Sequence, residues 1–193
     1  MMLASFILAS VSPRRKELLE GMGIEFDVIP SGINEDFLNG ETPREHVLRL
    51  SKEKSSAVSR NNPDAWVLGA DTIVIIDGDV IGKPGTQNDA RAMLARLSGR
   101  EHRVITGFTI VNKSADVMIT DAVESFVIFK EISEDEMDWY VKTKEPYDKA
   151  GGYAVQGMAA FFIREIRGSY TNVVGLPLTE VVTALKKVGA LVF

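Results

Sequence analysis

The chain has 193 residues, of which 45% are hydrophobic and 25% charged, enough for a sizeable core and ordinary for a globular protein. A net charge of −5 argues against broad electrostatic binding to nucleic acid, and the absence of cysteine excludes disulfides, thiol catalysis and thiolate metal sites. The apolar stretch at the N-terminus is only about nine residues, with no basic segment before it, so it reads as a buried first strand of a cytoplasmic protein rather than a signal peptide or membrane span.

Phe6-Ile7-Leu8-Ala9 predicts that first strand. Ser10-Val11-Ser12-Pro13-Arg14-Arg15 then opens an amphipathic segment ending near Gly21 and Gly23. Pro13 suits the first helical position, where its missing N–H would be unpaired anyway, and Ser12 reads as the N-cap. Free backbone N–H groups and a positive dipole end thus meet two guanidinium groups shaped for phosphate oxygens, the chemistry of a polyphosphate cradle. The same residues also fit a solvated helix start whose arginines pair with nearby carboxylates. Glu25–Pro30 predicts a second strand, and Ser31–Gly40 a loop rich in turn formers and acids.

Thr42-Pro43-Arg44-Glu45 is a capping box that starts a helix running to about Arg60. Trp66–Ile76 is β-rich and turns at Asp77-Gly78 into the short strand Asp79–Ile81. Thr86–Asp89 caps a helix ending near Ser98-Gly99, and two long β segments follow, about His102–Asn112 and Asp116–Lys130. Ser133–Glu136 is a further capping box for a helix reaching about Thr143. Glu145–Gly157 is irregular, a strand is expected around Ala160–Ile166 before Gly168-Ser169-Tyr170, and a last helix runs from near Leu178 to about Val188. Helices interleaved with crossovers and hairpins imply an α/β fold with a mixed twisted sheet and flanking helices. No linker divides the chain, so residues 1–193 read as a single domain whose lobes share the sheet.

Four groups of residues carry chemistry. Asp71, in Gly69-Ala70-Asp71-Thr72, interrupts an otherwise apolar strand. A carboxylate there is costly to bury unless it is paired, metal-bound or open to a cleft. It also fits a structural acid at a bulge. Gly69 and Ala70 would admit another backbone or a ligand at close range. Lys83, in the irregular turn Gly82-Lys83-Pro84-Gly85, offers a mobile charge toward phosphate, or is simply solvated. Lys52-Glu53-Lys54 reads by default as a solvated helix face, although Lys54 could turn inward. In Val155-Gln156-Gly157 the Gln156 amide offers one donor and one acceptor side, which matches N3–H and O4 of a uracil or thymine edge. It could equally satisfy loop backbone.

No His-Glu-x-x-His pattern, glycine-rich dinucleotide fingerprint or Walker motif is present, and His46 and His102 lie far apart. What remains is a set of carboxylates and cations suited to Mg²⁺ or Mn²⁺ and a triphosphate.

Leu8-Ala9-Ser10-Val11-Ser12-Pro13-Arg14-Arg15, Gly69-Ala70-Asp71-Thr72, Gly82-Lys83-Pro84, Asp148-Lys149-Ala150-Gly151, Gln156-Gly157 and Gly175-Leu176-Pro177-Leu178 resemble the Maf proteins in order and spacing over nearly the whole chain. The resemblance implies a two-lobed α/β fold around a cleft, related to the inosine triphosphate pyrophosphatases. It implies hydrolysis of a nucleoside triphosphate to its monophosphate and pyrophosphate with a divalent metal, Mg²⁺ or Mn²⁺. Gln156-Gly157 resembles the dTTP/UTP branch; the branch acting on 7-methyl-GTP has Glu-Gly there. By motif, Asp71 falls on the family's catalytic acid/base position, and Arg14, Thr72 and Gln156 on its specificity positions. Ser12, Arg15, Lys54 and Lys83 fall on the phosphate side, and Glu35, with Asp71, on the metal. Asn34 stands where many relatives carry a further acid. The family also implies a homodimer, while the acidic balance and the lack of a basic, aromatic-studded face oppose a nucleic-acid partner and no stretch approaches the length of a membrane span. Its association with inhibition of septum formation leaves a non-catalytic nucleotide-binding regulator as the alternative.

Overall fold

The computed structural model describes residues 5–192. Its elements are β1 (Phe6–Leu8), α1 (Pro13–Gly21), β2 (Asp27–Val28), α2 (Pro43–Ser59), β3 (Trp66–Ile76), β4 (Asp79–Ile81), α3 (Gln87–Leu97), β5 (Glu101–Asn112), β6 (Val117–Phe129), α4 (Glu134–Tyr140), β7 (Ile163–Arg167), α5 (Tyr170–Val174) and α6 (Leu178–Lys187). The strands neighbour one another in the order β2-β1-β3-β5-β6-β7, with β4 on β3. β1 is parallel to both β2 and β3, whereas β3–β4 and β6–β7 are antiparallel, so the sheet is mixed as expected.

The chain forms two compact units. One comprises the chain up to Asp71, Thr106–Val123 and the chain from Gly175 onward. Phe6, Leu8, Trp66, Leu68, Phe108 and Ile110 cover one sheet face against Leu19 of α1 and Val181 and Leu185 of α6. Ile7, Val67 and Val111 cover the opposite face against Val58 of α2. A strand buried on both faces gains nothing from polar alternation, which is why the start of β3 reads as continuous apolar sequence.

The other unit comprises Thr72–Ile105 and Glu124–Val174. Asp77 and Gly78 both take positive φ, 57° and 86°, the geometry that joins β3 to β4 in a tight hairpin. The core of this unit gathers Val74, Ile76, Leu94, Leu97, Phe129, Tyr140, Tyr153 and Phe162. Arg91 of α3 pairs with Glu134 and Asp138 of α4.

All three capping boxes form, at Thr42/Glu45, Thr86/Asp89 and Ser133/Glu136. Ser12 precedes α1 but makes no side-chain cap. Four expectations need correction. The second strand shrinks to Asp27–Val28. α4 stops at Tyr140 because Thr143 folds back, its N–H and hydroxyl both donating to the Tyr140 carbonyl, at 3.0 and 2.7 Å. The strand expected from Ala160 begins only at Ile163, since Met158–Phe162 winds into a 3-10 turn. Helix α5 was not expected; its signal is Ser169, whose hydroxyl accepts the Asn172 N–H at 3.2 Å.

Candidate active site

Val67, Gly69 and Asp71 alternate onto one face of β3, and on α2 Ser51, Lys54, Ser55 and Val58 share a face at helical spacing. Gly69 is what lets these faces meet closely. A Cβ there would stand 2.3 Å from the Ser51 carbonyl oxygen and 2.7 Å from the Ser55 nitrogen. Gly107 of β5 does the same beside Val47, whose carbonyl oxygen would lie 2.4 Å from an added Cβ. Both clashes are with helix backbone, which cannot swing aside, so the two glycines set the height of α2 above the sheet. Ser51 hydroxyl then reaches Thr109 hydroxyl at 2.9 Å, satisfying polar groups inside the contact.

At that height Lys54 is buried and its ammonium donates to Asp71 Oδ1 at 2.8 Å. The same Nζ lies 2.7 Å from Glu35 Oε1. Lys54 therefore departs from the solvated reading of its charge run, while Lys52 and Glu53 keep to it. The Asp71 carboxylate thus has the buried partner that its place in an apolar strand demands. Among the described residues no three or more His, Cys, Asp or Glu side chains converge as a metal cage. Glu35 and Asp71 nonetheless direct oxygens onto one cation, and Mg²⁺ typically takes only one or two carboxylates, completing its shell with water and phosphate oxygens. The donor set fits such an ion.

Glu35 is carried on a loop that α2 holds down. Arg49 of α2 donates through Nε to Glu41 Oε1 at 2.6 Å, and through one terminal nitrogen to both Glu41 Oε2 and the Asp36 carbonyl at 2.9 and 3.0 Å. His46 Nδ1 lies 2.9 Å from Glu41 Oε2, and Phe37 stacks on its ring with centroids 3.5 Å apart. The Arg49 hydrogen bonds hold the Glu41 carboxyl well below the usual carboxylate range, at about 2. Sequence reasoning missed Glu41 and Arg49, and their eight-residue separation spans a loop and a helix start.

Arg15 is buried, donating through Nε to the Gly175 carbonyl at 2.8 Å and through a terminal nitrogen to Ser10 hydroxyl at 3.0 Å. Burial lowers its affinity for the proton; the neighbouring Asp71 and Glu35 carboxylates oppose that and Arg14 adds to it. Arg14, Arg15, Glu35, Lys54 and Asp71 thus lie in one electrostatic neighbourhood. Ser12, half-buried at the start of α1, donates its N–H to Ser10 hydroxyl at 3.2 Å.

Thr72, Lys83 and Gln156 belong to the other unit. There the Gly82 carbonyl accepts the Gly151 N–H at 3.0 Å, and a Cβ on Gly152 would stand 3.6 Å from Pro84, so the Lys83 turn is joined to the glycine-rich segment leading to Gln156. Gly151 and Gly152 have φ of 74° and 69°, a left-handed pair that favours glycine. Lys83 and Gln156 are both exposed and Thr72 half-buried.

The Maf-like protein family model matches residues 5–188. The chain belongs to the Maf family. It is 61% identical over 193 residues to the dTTP/UTP pyrophosphatase of Syntrophus aciditrophicus (strain SB), covering 100% of this chain and 94% of that protein. It is 50% identical over 188 residues to the dTTP/UTP pyrophosphatase of Geotalea uraniireducens (strain Rf4), covering 97% of each. To the dTTP/UTP pyrophosphatase of Clostridioides difficile (strain 630) it is 49% identical over 183 residues, covering 95% of this Maf chain and 94% of the relative. Among solved structures, that of the Staphylococcus aureus Ham1 protein aligns with a TM-score of 0.44 at 14% identity, over 65% of this chain and 71% of that one.

Proposed function

We propose that this Maf protein is a nucleoside triphosphate pyrophosphatase acting preferentially on dTTP and UTP. The observation that carries this reading is Asp71, a buried carboxylate in an apolar strand that shares one lysine with Glu35. The high identity to dTTP/UTP pyrophosphatases over the full chain supports the choice of substrate.

In this reading a water oxygen attacks the α-phosphorus, the bond to the bridging oxygen breaks, and pyrophosphate leaves. Asp71 orients the water and takes its proton. Lys54 holds that carboxylate in place through its hydrogen bond, and Arg14, with Arg15 and Ser12 behind it, meets the triphosphate's charge. Lys83 and Gln156 are assigned by their motifs to the phosphates and to the base edge, with Thr72 as a further specificity position. Glu35 and Asp71 would hold a divalent cation, Mg²⁺ or Mn²⁺, which supplies neutralisation of phosphate charge when bound.

The test is pyrophosphate release from a panel of dTTP, UTP, CTP and GTP, each with Mg²⁺ and with Mn²⁺. Release that is fastest from dTTP and UTP and abolished by a chelator is the expected result. Tight nucleotide binding without release would overturn the reading and leave a nucleotide-binding regulator in its place.

A further inference from the structure

The 3-10 turn Met158–Phe162 begins two residues after Gln156, and its cap residue, Gly157, has no side chain to receive the first N–H groups. That role is filled from a distance. Glu145 Oε2 accepts the Met158 N–H at 2.7 Å, and Oε1 accepts the Ala159 N–H at 3.1 Å together with the Tyr140 hydroxyl at 3.0 Å. Both oxygens are thereby committed to protein donors. The carboxylate occupies the space where a side chain on Gly157 would lie: a Cβ there would stand 2.2 Å from Oε2 and 2.5 Å from Oε1. On the other side of Gln156, the Gly157 N–H returns to the Ala154 carbonyl at 3.2 Å. The Gln156 side chain itself is exposed, and among the described residues no hydrogen bond holds its amide. Where its Cα and Cβ stand is therefore set by the backbone, and among the described residues Glu145 is the charged group that grips that backbone.

We propose that Glu145 is a positioning residue for base recognition: it fixes the backbone on which Gln156 is carried without touching the nucleotide. The inference rests on the pyrophosphatase reading above. A glutamine presented from a fixed backbone position meets a base edge at one distance and angle, whereas one carried on a loose loop shifts to meet several edges. Loss of the Glu145 grip relaxes discrimination and weakens binding, and leaves the chemistry at Asp71 in place.

Two variants approach the same contact from opposite sides. Glu145→Gln keeps one acceptor but turns an NH₂ group toward a backbone N–H. Gly157→Ala keeps the acid and displaces it; Gly157 is extended, with a φ of −111° outside the left-handed region, so the clash with Glu145 is the main perturbation. Wild type, both variants and the double variant Glu145→Gln/Gly157→Ala are assayed for pyrophosphate release from dTTP, UTP, CTP and GTP.

In each single variant the ratio of kcat/KM for UTP over CTP is expected to fall at least tenfold. KM for UTP rises while kcat on UTP stays within about threefold. The double variant is no worse than either single one, since both remove one contact. An unchanged preference with unchanged KM in both single variants overturns the inference and leaves the pyrophosphatase reading intact. Loss confined to kcat and equal on all four nucleotides overturns it as well, as does unfolding of both single variants, which would make Glu145 a determinant of folding alone. A wild-type protein that releases no pyrophosphate from any nucleotide defeats the pyrophosphatase reading, and the inference with it.

Discussion

Replacing Asp71 by asparagine separates chemistry from stability at the centre of the proposed site. The substitution keeps the volume and one acceptor oxygen, removes the charge and puts an NH₂ donor in place of the other oxygen. Lys54, with 7% of its side chain exposed, then loses the carboxylate at 2.8 Å and keeps Glu35 at 2.7 Å. Removing one partner of a fully buried pair costs about 3–5 kcal/mol, because the remaining charge is uncompensated. Here Glu35 remains and its side chain is 57% exposed, so water reaches that end of the cluster and the expected loss is about 2 kcal/mol. For a chain of this length that lowers Tm by about 4–8 °C. Turnover should fall much further, by about 10²–10⁴-fold, the range for removal of a general base. A stability loss of about 2 kcal/mol leaves a protein of ordinary stability folded at 25 °C, so unfolding cannot account for a drop of that size. Pyrophosphate release at saturating UTP reads the first quantity, thermal unfolding by circular dichroism the second, and calorimetry the retained nucleotide affinity. A kcat within tenfold of wild type would remove Asp71 from the chemistry. A variant that no longer folds would make its charge a requirement of the fold instead.

Other perturbations follow from the same geometry. Gly69→Ala and Gly107→Ala press a methyl group into the backbone of α2 and should each destabilise by about 3 kcal/mol, the upper end for overpacking; urea midpoints unchanged from wild type would mean that the helix height is set elsewhere. Lys83→Ala and Arg14→Ala should each lower kcat/KM for UTP by about 10–150-fold, the loss of one charge-assisted hydrogen bond to phosphate; unaltered kinetics in both would place the phosphate contacts elsewhere. His102 is buried against Phe129 and Tyr153, and desolvation pushes it down to about 4 from 6.5, so the unfolded chain takes up its proton first. Its contribution is complete above pH 6.5 and is lost as pH falls toward 4, about 3 kcal/mol in all, so His102→Gln should flatten that part of a stability–pH curve. An equally steep curve in the variant would assign the slope to other groups. Gln156→Glu should narrow the preference for dTTP and UTP over CTP, since an ionised carboxylate cannot donate to O4; an unaltered order of kcat/KM values would leave Gln156 without a role in reading the base.

What was legible in the sequence was local. The Asp77-Gly78 turn and the capping boxes at Thr42, Thr86 and Ser133 bring their partners within three residues, so short-range pattern suffices to find them. Asp71 stood out because a carboxylate in an apolar strand demands a partner, although the strand itself does not say which. That partner, Lys54, was hidden in Lys52-Glu53-Lys54, where only the close seating of α2 decides which of the three charges is buried. The seating depends on Gly107, which a β-rich run does not distinguish from an ordinary strand glycine. Glu145 is harder still. It looks like one more polar residue before a proline, and its meaning lies in two N–H groups thirteen and fourteen residues onward.

The two parts of the proposed activity are built from different kinds of structure. Asp71 and Lys54 stand on a strand and a helix pressed together through glycines, with backbone behind both, so their separation is held by elements that cannot shift independently. Gln156 stands on an irregular segment whose position depends on one carboxylate reaching back from Glu145. Changes around Asp71 should therefore act on turnover of every nucleotide alike. Changes around Glu145 and Gly157 should alter which nucleotide is chosen and leave the hydrolytic step in place. A family that kept its chemistry while shifting its choice of base would find that freedom in the second arrangement, where displacing a single side chain re-aims the reading amide.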